Sequence, residues 1–172
     1  MTMAPEKPAL AAKIMLLGAV GAGKSSLVNR FARDRFDADY KTTIGVDVQT
    51  CDIQAESGAM VRLMLWDTDG DFGQRIFETA YVKGASGAII VADASRPATL
   101  EKMKGLLEAF SERMPGRALR AVVNKSDLAT VAPEELRAAG LFPDEMLFTS
   151  AKTGAGVREL FASIAGEIAR RA

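Results

Sequence analysis

Short apolar runs alternate along this chain with longer stretches in which apolar residues recur every three or four positions. The first pattern marks buried strands and the second amphipathic helices. Residues 14–17, 46–53, 61–66, 88–91, 119–123 and 146–149 read as strands. Residues 27–33, 76–83 and 133–139 read as helices, the last closed by Gly140. Another helix starts near Ser95 and Pro97, carries a stripe of Leu100, Met103, Leu107 and Phe110, and stops at Pro115-Gly116. The final helix buries Leu160, Phe161, Ile164 and Ile168. Glu56-Ser57-Gly58 is a hairpin turn, so the two strands flanking it are expected to be antiparallel. Elsewhere the strand–helix alternation predicts an α/β domain: a mainly parallel sheet with helices on both faces, its ligand sites at the carboxyl ends of the strands.

The stretches richest in chemistry all fall at such strand ends. Residues 18–26, GAVGAGKSS, have the form G-x-x-x-x-G-K-[ST] between an apolar strand and a helix start. Gly18, Gly21 and Gly23, with Val20 and Ala22 between them, let backbone N–H groups curl around phosphate oxygens, and the following helix adds its positive end. Lys24 is placed for the β- and γ-phosphates and Ser25, followed by Ser26, for Mg²⁺. Alone, the pattern also fits an ordinary glycine turn. WDTDG ends the strand at 61–66; Asp67 there suits Mg²⁺, directly or through water, and Gly70 lets its N–H approach a γ-phosphate. Asn124-Lys125-Ser126-Asp127 ends another strand. Asp127 can accept from guanine N1–H and N2–H₂, a pair adenine lacks, while the Lys125 stem lies along the base. Ser150-Ala151-Lys152 follows the last strand, where backbone N–H groups can meet guanine O6.

The 172 residues, 48% of them hydrophobic and 26% charged, fit one domain with one sizeable core. Formal charge is zero, which argues against broad nucleic-acid binding. Histidine is absent, excluding His-based catalysis and ligation; Cys51 is the only cysteine, excluding an intrachain disulfide. Residues 1–12, with two prolines, read as a flexible lead-in rather than a signal peptide, leaving 13–172 as the domain. No apolar run approaches the roughly 20 residues of a membrane span. The sequence ends Ala169-Arg170-Arg171-Ala172 without a prenylation cysteine, so a cytoplasmic protein with no lipid anchor is expected.

Taken together, GAVGAGKSS, TIGVD at 43–47, WDTDG, NKSD and SAK occur in the order and spacing of a known family. From Lys13 to Arg170 the chain resembles a Ras-superfamily small GTPase, its Rab branch above all, as YVKGASGAIIVAD at 81–93 also suggests; without the terminal cysteine, a prokaryotic Rab-like member is expected. The resemblance implies a P-loop NTPase G domain: a six-stranded, mostly parallel sheet with one antiparallel edge strand and about five helices. It implies that Thr43 binds Mg²⁺ and the γ-phosphate, and that Phe36 packs edge-on against guanine. It also makes 34–46 and 67–81 the switch loops through which an effector, an exchange factor and an activating protein would act on a monomer.

Two departures fall on the hydrolysis machinery. The family's water-positioning glutamine is replaced by Asp71, and the alanine two positions earlier is Asp69. An ionised carboxylate only accepts, and it brings negative charge towards the γ-phosphate. Val20 stands where many relatives have glycine or serine and would crowd a water-positioning side chain or an incoming arginine. With Lys24, Thr43, Gly70 and Asp71 as the catalytic set, GTP hydrolysis to GDP is expected to be slow. Gln74 could substitute for the missing glutamine only if its loop folds differently. The rival readings are a GTP-locked scaffold using the same pocket and an ATPase or kinase, against which NKSD argues.

Overall fold

The computed structural model describes residue 8, residues 10–36 and residues 44–172. A six-stranded sheet runs in the order β2-β3-β1-β4-β5-β6. It is formed by β1 (Leu10–Gly18), β2 (Val46–Gln54), β3 (Met60–Thr68), β4 (Gly87–Asp93), β5 (Ala118–Asn124) and β6 (Met146–Phe148). Among the described residues only the β2–β3 pair is antiparallel, as the hairpin turn required, and β2 is an edge strand. The other neighbours are parallel.

Four α-helices accompany the sheet among the described residues: α1 (Lys24–Arg33), α2 (Ala98–Arg113), α3 (Pro133–Ala138) and α4 (Val157–Arg171). Three short 3₁₀ segments complete the helical content, Gly70–Glu78, Ala80–Val82 and Pro143–Glu145. The fold class expected from the sequence is therefore the one found.

The sheet separates two cores. Along β1, Ile14 and Leu16 face α1 and α4, whereas Met15 and Leu17 face α2 and the 3₁₀ segments. This period of two is what a strand buried on both faces demands. Phe31 of α1 stacks on Phe161 of α4 with ring centroids 4.3 Å apart, closing the first core. Phe77 and Phe110 help to close the second.

The structure refines three readings. β1 begins at Leu10, paired with Val61, so residues 10–12 belong to the sheet rather than to a lead-in. In α2 it is Leu106, not Leu107, that is fully buried; Leu107 packs at its margin. The stretch 76–83, expected as a continuous helix, is split between the 3₁₀ segments, because Thr79 is extended at φ −92°, ψ 162° and its side chain caps the second segment by accepting from the Tyr81 N–H.

Chain direction reverses beside β1: the chain leaves it for β2 and β3 on one side, and β4 to β6 extend on the other. Such a reversal opens a crevice above the carboxyl ends of the strands. Residues 18–26, 67–70, 93–96, 124–127 and 149–152 all emerge there.

Candidate functional site

The loop 18–26 turns from β1 into α1, and Lys24, the first residue of the helix, is buried back beneath it. Its Nζ donates to the carbonyls of Gly18 and Ala19, both at 2.9 Å. Burial pushes the Lys24 ammonium down to about 8; Asp67 and Asp69 oppose that fall, while the nearby charges of Lys102 and Arg96 add to it. A buried cation hydrogen-bonded to neutral carbonyls is well placed to take an oligoanion over the loop.

Ser25 follows Lys24, and its hydroxyl donates to Asp67 Oδ2 at the end of β3. Asp67 is only 3% exposed. A serine hydroxyl touching a buried carboxylate is a pair of hard oxygen donors, which suits Mg²⁺ rather than a soft metal. Thr43, the third expected ligand, lies outside the described residues, as does most of the loop 34–46.

Beside the loop is a cavity of about 310 Å³. Gly21, Gly23 and Ser26 form one wall and Phe36 another; Asn124, Lys125, Asp127, Ala151 and Lys152 close it, so the sequence-predicted residues of three distant segments meet. Leu128, which the sequence did not single out, also lines it and is 62% exposed.

Asn124 plays a different part from its neighbours. It is 1% exposed, and its amide is engaged inside the protein. Nδ2 donates to the Ala22 carbonyl at 3.0 Å, and Oδ1 accepts from Thr149 Oγ1 at 3.0 Å and from Ala151 N–H at 3.2 Å. It pins the phosphate-loop candidate to the loop after β6. Gly23 makes this possible: at φ 98° a Cβ there would lie 2.2 Å from Asn124 Nδ2. Asp127 Oδ1 accepts from Ser150 Oγ at 2.7 Å, fixing one carboxylate oxygen. Arg30 of α1 donates to the carbonyls of Ala151 at 2.8 Å and Lys152 at 2.6 Å, holding that loop from below.

The sequence reading missed a charged hub. Asp93, at the end of β4, is 1% exposed and contacts Lys125 Nζ at 2.9 Å, Arg96 Nε at 3.0 Å and Ser95 Oγ at 2.6 Å. Burial alone would raise its carboxyl, but the hydrogen bonds from Lys125, Ser95 and Arg96 outweigh burial and hold it at about 2. Arg96 reaches on to the Val20 carbonyl at 2.6 Å. The signal available was position: an aspartate ending a buried strand at the same edge as the other motifs.

At the opposite end, Gly70 packs against the loop so closely that a Cβ would lie 2.4 Å from Val20 N. Asp71 is exposed. Gln74 lies over α2, where a Cβ on Gly105 would come within 2.8 Å of its Nε2. The fold thus carries Gln74 towards α2.

The model of the Ras family matches residues 13–170. Among curated proteins, the chain is similar to the Ras-related protein RABA5b of Arabidopsis thaliana, 39% identical over 91% of this chain and 74% of that protein. It is also similar to the Ras-related protein RIC2 of Oryza sativa subsp. japonica, 34% identical over 92% of this chain and 75% of its relative. The Ras-related protein YPTC6 of Chlamydomonas reinhardtii is 33% identical over 91% of this chain and 74% of its own length.

Proposed function

This chain belongs to the Ras family and is a small GTPase, a GTP-binding switch that hydrolyses GTP, and we propose that its guanine pocket is the cavity between Phe36, Lys125 and Asp127, with the phosphates over residues 18–26. The observation that carries this reading is the junction of the two compartments: Asn124 ties the loop bearing buried Lys24 to the loop bearing Ala151. A base and its phosphates can then be held at a fixed spacing.

In this reading Asp127, oriented by Ser150, accepts from guanine N1–H and N2–H₂, and the Ala151 and Lys152 segment faces guanine O6. Lys125, held by Asp93, lays its stem along the base. Lys24 neutralises the β- and γ-phosphates, and the N–H groups from Val20 to Ser26 cradle them. Ser25 and Thr43, with Asp67 in support, hold Mg²⁺, which when bound draws charge from the phosphate oxygens. A water oxygen forms the new bond to the γ-phosphorus, the bond from that phosphorus to the β–γ bridging oxygen breaks, and the water's proton passes to the released phosphate. GDP leaves with the bond's electron pair, and no covalent enzyme intermediate forms.

Hydrolysis is slow in this reading, because Asp71 cannot donate to the water's surroundings and Gln74 lies over α2. Residues 10–172 act as the G domain. Effector, exchange factor and activating protein act through 34–46 and 67–81, where Ile44, 90% exposed, and Tyr81, 39% exposed, offer apolar contact. No described helix is long and apolar enough to cross a membrane.

Single-turnover hydrolysis of GTP loaded with Mg²⁺ tests the reading. Slow conversion to GDP, accelerated about tenfold or more by Asp71→Gln, is expected. A normal native rate with no gain from that substitution refutes slow hydrolysis. GTP that persists in both proteins identifies a scaffold instead.

A further inference from the structure

The Gly70–Asp71 peptide is gripped at both ends by side chains from different parts of the chain. Its carbonyl accepts from Lys102 Nζ of α2 at 3.0 Å. Its N–H donates to Asp69 Oδ1 at 2.9 Å. The Lys102 stem runs beside the kink, its Cε 3.9 Å from where a Cβ on Gly73 would lie. Asp69 is itself anchored, its backbone N–H donating to the Gly45 carbonyl just before β2 at 2.8 Å. On the other side Gly70 abuts the Val20 backbone.

A glycine has the widest backbone freedom of any residue, so the orientation of the Gly70 N–H is set by what restrains its neighbours. Here the following peptide is fixed by one cation and one anion, and the contact with Val20 limits the space left for turning. We propose that Asp69 and Lys102 are positioning residues that hold Gly70 ready for a γ-phosphate before nucleotide binds, and so raise this chain's preference for GTP over GDP. The inference rests on the nucleotide-site reading above and deepens it. Groups that meet only the γ-phosphate are the ones able to separate the two nucleotides, and fixing such a group beforehand removes an ordering cost from GTP binding alone. Asp69 stands where the family resemblance expects alanine, whose side chain has no acceptor for the Asp71 N–H.

The test is titration of the full chain, with Mg²⁺, against fluorescent GDP and a fluorescent non-hydrolysable GTP analogue. Lys102→Met and Asp69→Ala should each weaken the GTP analogue about five- to tenfold and leave GDP within about twofold, the size expected for one charge-assisted hydrogen bond on a partly exposed group. The double variant should be little worse than either single one, because both grips act on one peptide. Lys102→Arg and Asp69→Asn, which keep a donor and an acceptor, should retain the native ratio. Equal weakening of both nucleotides, or an unchanged ratio in Lys102→Met and Asp69→Ala, overturns the proposal while leaving the site reading intact. A native chain that binds neither nucleotide overturns both.

Discussion

The loops at 124–127 and 149–152 and the segment 70–82 rise from the same end of one sheet, yet they are built by different rules. In the first region the key side chains are buried and cross-tied: Asn124 and Ser150 are each 1% exposed, and each joins two loops or steadies a third. In the second, the backbone runs in 3₁₀ turns broken at Gly73, and Asp71, Gln74 and Arg75 are exposed. Side-chain ties there come from Lys102 and Asp69 and, within the segment, from Arg75 to the Asp71 carbonyl and Thr79 to the Ile76 carbonyl. A base-recognition site gains from rigidity, since its ligand part is the same in GTP and GDP. A segment that must answer the presence of one phosphate needs an arrangement that a few contacts can hold or release.

Breaking the rigid side should have the largest effect. Asp127→Ala removes the carboxylate that would read guanine, and GDP affinity should fall at least about 100-fold in a binding titration. Retained affinity would move the base elsewhere. Gly23→Ala strikes the same side through the backbone: its Cβ would meet Asn124 Nδ2 at 2.2 Å in a φ 98° conformation. A loss of about 3 kcal/mol in chemical unfolding is expected. Asp93→Ala should cost about 2 kcal/mol, because the Lys125 and Arg96 ends it holds are partly wet and recover some hydration. The native protein should show the same dependence in acid. With its folded value near 2, below the unfolded value, the Asp93 contribution is fully present above about pH 4 and fades as pH falls towards 2.

The opposite result is expected on the other side. Gly105 sits inside α2, and a Cβ there would meet only the far end of the Gln74 side chain. Gly105→Ala should therefore be neutral or stabilising by up to about 1 kcal/mol, read as a small rise in Tm. A large loss would show the switch-side packing to be as exacting as the other. The smallest effect concerns Lys24. Its free value near 8 lies below that of a lysine paired with phosphates, so nucleotide binding at pH 8–9 should take up a fraction of a proton, and affinity should decline as pH rises through that range. Calorimetry in buffers of differing ionisation enthalpy measures the uptake.

How legible these regions were follows the same division. Strand runs, the hairpin turn and the motifs at strand ends are local signals, and Gly23, Lys125, Asp127 and Ala151, read from three such motifs, line one cavity. Leu106 and Leu107 are adjacent and both apolar, so periodicity alone does not decide which one a 3.6-residue helix buries. The 76–83 stretch has an apolar pattern but is interrupted by extended Thr79, which ends one 3₁₀ segment and caps the next. Lys102 is a plain helix lysine until the fold brings it to Gly70, 32 residues earlier, and the Asn124 amide reaches the Ala22 carbonyl across 102 residues. Long-range pairing of that kind leaves no periodic trace in sequence.

The Asn124 tie also constrains the order in which the molecule can be made. Its partner Ala22 lies 102 residues earlier, and Arg30 is 121 residues from the Ala151 carbonyl it holds. On the ribosome the 18–26 loop emerges long before the strands that complete its pocket, at a few to about 20 residues per second. Through that interval the loop lacks the clasp from Asn124, so a nucleotide held as proposed above would be captured stably only after the stretch around residue 151 has emerged. Ligand capture is then a late event in biogenesis, and one that favours chains whose sheet is complete.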